Sequence, residues 1–423
     1  MGEIIVRKFY KKPELLLPAG SISKLKTAFL YGADAVYASI TEMSLRSDSK
    51  ISIDDMSKGI AFAHNLGKKV YLTFNLFSHN KDIVQFENFI KIIRILNPNG
   101  IIVSDPGVFQ YIKKELPQLP IHISTQANIC SWLTVDFWAK LGASLCVLSR
   151  EVSFVEAKEI RKKCNNIKLE IFVHGAMCIS YSGRCLISAF MAYRSANQGK
   201  CAHSCRWKYK SKILLEEELR PGEYFEMEED SRGTYILNSK DLCLMPKMDK
   251  IMQIGIDSLK IEGRNKSEYY VAETARVYRK AIDDYFDNLG DWQPDQYMQE
   301  LTTLQNRGYT TGFFDGMTRE EAQYYTDTTS RSNYKNAGII KNNIDGFLTI
   351  ELKHKLKKND TIEILSPFQF KPIKITLNEI YNKDNNQPVD ELSAGKVNQS
   401  IKIPMNGDLS IFPENTVIRI KIV

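Results

Sequence analysis

The chain has 423 residues, of which 43% are hydrophobic and 25% charged, and it carries a formal net charge of +7. That is ordinary globular composition at a length that calls for one large and one small domain, and the modest charge permits an anionic partner without establishing one. The opening MGEIIVRKFYKKPELLLPAG lacks a signal-peptide pattern, and no segment holds the roughly 18 uninterrupted apolar residues of a membrane span, so a cytoplasmic protein without a membrane partner is expected.

In chain order, short apolar runs alternate with longer amphipathic stretches from Glu14 to about Tyr285. The strands are expected at 14–20, 34–40, 69–77, 100–105, 121–127, 144–151, 168–175 and 258–263. Between them lie stretches such as SISKLKTAFLYG and FENFIKIIRILN, with apolar residues three and four apart, as in helices. Eight βα units predict an α/β fold, a (β/α)₈ TIM-like barrel, over residues 1–290. A connecting region follows at 291–334, and short strands separated by turns predict a small C-terminal β-barrel domain at 335–423. Its strands are expected in AGIIKN, FLTIELK, DTIEILS, IKITLNEIY, LSIFPE and TVIRIKIV. Lys353, Lys355, Lys357 and Lys358 read as a solvated face, with phosphate contact as the lesser alternative.

In a barrel of this kind the chemistry sits at the carboxyl ends of the strands. Those ends are polar here: Asn75, Asp105, Ser124-Thr125-Gln126, Arg150-Glu151, His174 and Glu262. Each alone fits a helix cap or a solvated terminus as well as a catalytic role; together they favour a polar substrate pocket. Glu170, His174, Asn75 and Gln126 are the catalytic candidates.

The cysteines are unevenly spread. Cys130, Cys146 and Cys164 are dispersed, whereas Cys178, Cys185, Cys201 and Cys205 crowd together with six, fifteen and three residues between them, and Cys243 follows. Four thiolates suit zinc or an iron–sulfur cluster; the spacing lacks the paired knuckles of a zinc ribbon, which favours a 4Fe-4S cluster over buried free thiols. Just beyond, Arg206, Trp207, Lys208 and Tyr209 alternate cation and ring, a pattern suited to single-stranded RNA, although a solvated strand face would read the same. H-E-x-x-H, G-x-S-x-G and Walker-type motifs do not occur.

The segment EIFVHGAMCISYSGRCLIS (Glu170–Ser188) resembles the signature of the U32 peptidases, a family also labelled collagenase-like. The resemblance extends through ELLLPAGS, GADAVY, RSANQGKCAHSCRW, LNSKDLC, SLKIEGRNKS and GYTTGFF, and departs after Tyr37, where Ala38 and Ser39 stand in place of glycines. It implies a barrel enzyme with a four-iron cluster on Cys178, Cys185, Cys201 and Cys205, with Cys243 as the alternate to Cys205. Members with a carboxyl-terminal β-domain resemble tRNA hydroxylases that form 5-hydroxyuridine at the wobble position with prephenate as cosubstrate. Other members imply the alternatives: a peptidase, or a hydroxylase of ribosomal RNA or of quinone precursors. Arg150, Lys260 and Arg264 are then candidates for holding the carboxylate cosubstrate, since cationic groups, and guanidinium forks above all, match planar carboxylates. The alternative is strand-end ion pairing with Glu151 or Glu262.

Overall fold

A computed structural model describes residues 11–41, 51–75, 78–177, 239–287, 292–316, 332–395, 399–405 and 407–422, with scattered positions between 188 and 234. The strands of three or more residues in the barrel region are β1 (Glu14–Pro18), β2 (Ala35–Ala38), β3 (Lys69–Phe74), β4 (Gly100–Val103), β5 (Ile121–Ile123), β6 (Leu145–Val147), β7 (Lys168–Ala176), β8 (Asp241–Cys243) and β9 (Ser258–Ile261). All but β8 run parallel in the order β1 to β7, then β9, and β9 pairs with both β7 and β1, so the sheet closes as an eight-stranded barrel. Every barrel strand expected from the sequence is there, most of them a few residues shorter at their ends and β7 one residue longer. Most are buried on both faces, because helices cover the outside and side chains fill the inside.

The enclosing helices are α1 (Ile22–Leu30), α2 (Ile53–Asn65), α3 (Phe86–Leu96), α4 (Pro106–Glu115), α5 (Trp132–Lys140), α6 (Phe154–Lys163), α7 (Met248–Ile254) and α8 (Glu268–Asp287). Five of them start where a short polar side chain can accept from an otherwise unpaired backbone N–H: Ser21, Ser52, Asp105, Ser131 and Ser153. Asp105, one of the polar strand ends, is therefore engaged as a cap by the Val108 amide at 3.0 Å. Among the described residues no helix is long and apolar enough to cross a membrane.

Within the barrel sheet, two strands were not expected from the sequence. β8 runs antiparallel to the end of β7, and β10 (Tyr309–Thr310) pairs parallel with β8. Arg307, buried, donates to Asp241 at 2.5 Å, so the LNSKDLC and NRGYTTGFF segments are fastened to one another. Within 291–334, helix α9 (Pro294–Thr302) buries Tyr297 and Leu301 in the barrel's outer core.

The C-terminal part is an antiparallel half-barrel with its own apolar core. Its main strands are β11 (Tyr334–Ile344), β12 (Phe347–Leu352), β13 (Thr361–Leu365), β14 (Ile373–Thr376), β15 (Ser400–Pro404) and β16 (Val417–Lys421), in spatial order β14-β13-β16-β11-β12-β15. One expected strand is corrected. In LSIFPE, Asp408 caps a 3₁₀ turn over Leu409–Ile411, and the strand lies earlier, in β15, where Ile401 and Ile403 alternate into the core.

The half-barrel docks on α8 and α9 through buried charge. Arg419 of β16 donates to Glu363 at 2.7 Å and to Glu300 at 3.0 Å, and lies 3.7 Å from Glu273. Arg276 of α8 forks onto Glu273 at 2.8 and 3.0 Å and also meets Glu300 and the Phe370 carbonyl. Tyr31 adds a bridge, donating to the Leu365 carbonyl at 2.5 Å and accepting from the Val417 amide at 2.9 Å.

Candidate active site

Alternation along the strands decides which side chains enter the barrel. Leu16, Ala35, Tyr37, Tyr71 and Ile102 form a compact interior cluster, with the His122 ring 4.5 Å from that of Tyr71. Above β7's start, fully buried Glu170 accepts from Lys260 Nζ and Ser258 Oγ, both at 2.8 Å. Lys260 also lies 4.6 Å over the Tyr37 ring. Two of the sequence candidates, Glu170 and Lys260, are thus each other's partner inside the barrel. Such a pair persists only because both charges are compensated at once.

Beyond Phe172 the alternation inverts. Phe172 opposes Lys260 and His174 opposes Ile261, so Val173 is an extra residue in β7, a bulge. His174 consequently turns outward, away from the lumen, into a nest of Tyr270, Tyr278 and Tyr309 beneath the helix layer. Burial pushes its imidazole down to about 3, with the charge of Lys266 acting the same way. Cys243, opposite His174 on β8, faces the same layer, with Sγ 3.8 Å from Tyr278 Oη and 3.7 Å from Met298 Sδ. Burial raises its thiol to about 11.

The remaining candidates meet at the carboxyl-terminal mouth. Arg264 donates to Ser39 Oγ at 2.6 Å and reaches Thr73 Oγ1 at 3.4 Å, and Thr73 in turn donates to Ser39 at 3.1 Å. Among the described residues no carboxylate pairs with Arg264. Gly20 makes this possible, because a Cβ there would collide with the Arg264 carbonyl. Arg150 stacks 3.9 Å over Phe172 and stands 3.9 Å from Glu262, whose carboxylate accepts from Tyr37 at 3.2 Å. Asn75 and Gln126 converge on Ser124, Asn75 through its amide at 3.3 Å and Gln126 through its backbone N–H at 3.3 Å. Gln126 Oε1 is buried with no hydrogen-bond partner among the described residues.

Ser39, Thr73 and Tyr37 were not singled out as site residues by the sequence. The signal available was Ser39 itself, standing where a glycine was expected. At the other side of the mouth, Met177, just past β7, is the last residue described before Cys178. Cys178, Cys185, Cys201 and Cys205, together with Arg206, Trp207, Lys208 and Tyr209, lie outside the described residues. Their neighbours Ser188 and Ser204 are buried, and the Ala202 amide donates to Ser188 Oγ at 2.8 Å. The residue after Cys201 and a residue three positions beyond Cys185 are in this way fastened together. Among the described residues themselves, no three His, Cys, Asp or Glu side chains gather to hold a metal ion.

The sequence model of Peptidase family U32 matches residues 20–324, and that of the Peptidase family U32 C-terminal domain matches 332–419. The chain belongs to family U32. Among its relatives, tRNA hydroxylation protein P of Escherichia coli (strain K12) is 38% identical over 394 residues, covering 84% of this chain and 86% of that one. The tRNA hydroxylation protein P1 of Bacillus subtilis (strain 168) is 36% identical, covering 97% and 95%. A relative named Collagenase, from Porphyromonas gingivalis (strain ATCC BAA-308 / W83), is 30% identical, covering 77% and 80%. In this U32 chain the first model ends inside the connecting region, and the second spans nearly the whole half-barrel.

Proposed function

We propose that the protein is an iron–sulfur-dependent tRNA hydroxylase, forming 5-hydroxyuridine at the wobble position with prephenate as cosubstrate in the cytoplasm. The observation that carries this reading is the similarity, through both domains, to relatives named for tRNA hydroxylation. Replacing C5–H of a uridine by C5–OH is a two-electron oxidation, so a second substrate must supply oxygen and accept the electrons. Prephenate is a dicarboxylate, and Arg264, oriented by the neutral Ser39 and Thr73 hydroxyls, keeps its full charge for one carboxylate. Arg150 stands on the other side of the mouth for the second, while Lys260 acts through Glu170 to shape the barrel interior. Asn75 and Gln126 are the amides suited to reading a uracil edge.

Cys178, Cys185, Cys201 and Cys205 would hold the cluster, a set of soft thiolates with which the fastening of Ser188 to Ala202 agrees. Bound there, it would supply a Lewis-acidic, redox-active iron beside the pocket. On this reading Cys205 rather than Cys243 completes the set, which the packing of Cys243 against Tyr278 and Met298 supports. Arg206, Trp207, Lys208 and Tyr209 would hold the anticodon loop by phosphate contact and stacking.

A gene deletion read by mass spectrometry of tRNA nucleosides tests the assignment. Loss of 5-hydroxyuridine and its derivatives, with ribosomal RNA and quinones unchanged, is expected. An unaltered tRNA profile in a strain without a paralogue would overturn it. Anaerobically purified Cys243→Ser is expected to keep wild-type iron and sulfide, and Cys205→Ser to lose both. The peptidase reading draws on the collagenase-named relative, but the histidines at the barrel strands, His122 and His174, are buried and held neutral. Among the described residues neither forms a nucleophile–base pair with a serine or cysteine.

A further inference from the structure

Away from the mouth, a cleft of about 690 Å³ lies between the two domains. One wall is the turn after β9 and the start of α8, at Asn265, Lys266 and Ser267; the other is the half-barrel, at Lys335, Asn336 and Lys353. Its described lining holds three lysines and His354 and neither aspartate nor glutamate, in a chain where one residue in four is charged. Lys353 shares its charge with Glu351 at 2.6 Å, but Lys335 is exposed and has no carboxylate within ion-pairing distance among the described residues. Burial first, and then the field of Lys335, pushes the His354 imidazole down, against an opposing pull from Asp360. The remaining polar lining is mostly amide and hydroxyl groups, and the tyrosines Tyr269 and Tyr270 are buried, so their faces are not offered for base stacking.

The position is as informative as the chemistry. The turn that delivers Arg264 to Ser39 and Thr73 at the mouth delivers the next two residues, Asn265 and Lys266, to the cleft. A polyanion with one unit in the mouth therefore meets the cleft at once, on the same end of the barrel. We propose that this cleft is a second RNA site, taking the phosphodiester backbone of the tRNA away from its reacting nucleotide through Lys266 and Lys335. The proposal rests on the tRNA reading above. On this reading the half-barrel completes a phosphate track that neither domain has alone.

The test compares Lys335→Glu and the double variant Lys266→Ala/Lys335→Ala with wild type and with Lys140→Ala, a lysine of α5 that is 75% exposed. Binding of unmodified full-length tRNA is followed by fluorescence anisotropy across a salt series, and hydroxylation by nucleoside analysis. The double variant is expected to bind on the order of tenfold more weakly at low salt, with the slope of log K against log[salt] shallower by about 0.7–0.9 per lost contact. KM for tRNA should rise with kcat and melting temperature unchanged, and Lys140→Ala should match wild type. Wild-type affinity and slope in the double variant would overturn the cleft assignment while leaving the hydroxylase reading intact. A folded wild type that neither binds nor modifies tRNA would overturn both. Displacement of tRNA by millimolar inorganic phosphate as effectively as by RNA oligomers would mark a single-phosphate site and also overturn the proposal.

Discussion

The seam between the domains buries its arginines and the mouth of the barrel holds Arg264 half-buried, and the two places use them differently. At the seam, Arg276 and Arg419 meet Glu273, Glu300 and Glu363, so guanidinium and carboxylate neutralise one another away from water. At the mouth, Arg264 is oriented by two hydroxyls, which accept hydrogen bonds without cancelling its charge. A buried ion network that is internally complete fastens two domains; a cation fixed by neutral acceptors keeps its charge for a ligand.

Breaking the seam should give the largest effect. Arg419→Ala leaves Glu363 and Glu300 short of a cation in a buried place and is expected to cost about 3–5 kcal/mol in chemical unfolding. A cost below about 1 kcal/mol would show the network to be dispensable. Arg264→Gln should do the reverse, changing stability little while raising KM for the carboxylate cosubstrate by an amount equivalent to about 1.5–3 kcal/mol. Arg264→Lys should restore only part, since an ammonium lacks the planar fork. Equal loss of stability in both regions would erase the distinction between them.

A further contrast between the two regions is in their pH dependence. His122 and His174 are each pushed down to about 3, chiefly by burial, from an ordinary value near 6.5. The unfolded chain therefore binds more protons between those limits, and their contribution is complete above about 6.5 and is lost as pH falls toward 3. Each accounts for up to about 1.4 kcal/mol per pH unit within that window. At the seam, against the burial that would raise it, Arg276 and Arg419 hold the Glu300 carboxyl below its usual range, so its contribution is lost only at lower pH. The barrel should weaken before the seam as acid is added. His122→Asn should flatten the stability profile between pH 4 and 6; an unchanged slope would show that this histidine is not buried neutral.

The sequence by itself determined the barrel, because eight runs such as ELLLP and GIIV each carry enough local apolar pattern to be read as a buried strand. It also determined the family, through motifs that lie contiguously along the chain. It brought Glu170 and His174 forward as catalytic candidates and Lys260 as a cosubstrate-binding one, and only the tertiary structure paired Glu170 with Lys260 and set His174 apart. One additional residue at Val173 inverts which face follows, sending His174 outward while Glu170 and Lys260 close on each other. The seam was equally hidden: Arg419 and Glu300 stand 119 positions apart, and nothing in either neighbourhood names the other. Periodicity is a local property and survives in the sequence. Partnership between distant charges, and the sense of a side chain after a bulge, exist only once the chain has closed on itself.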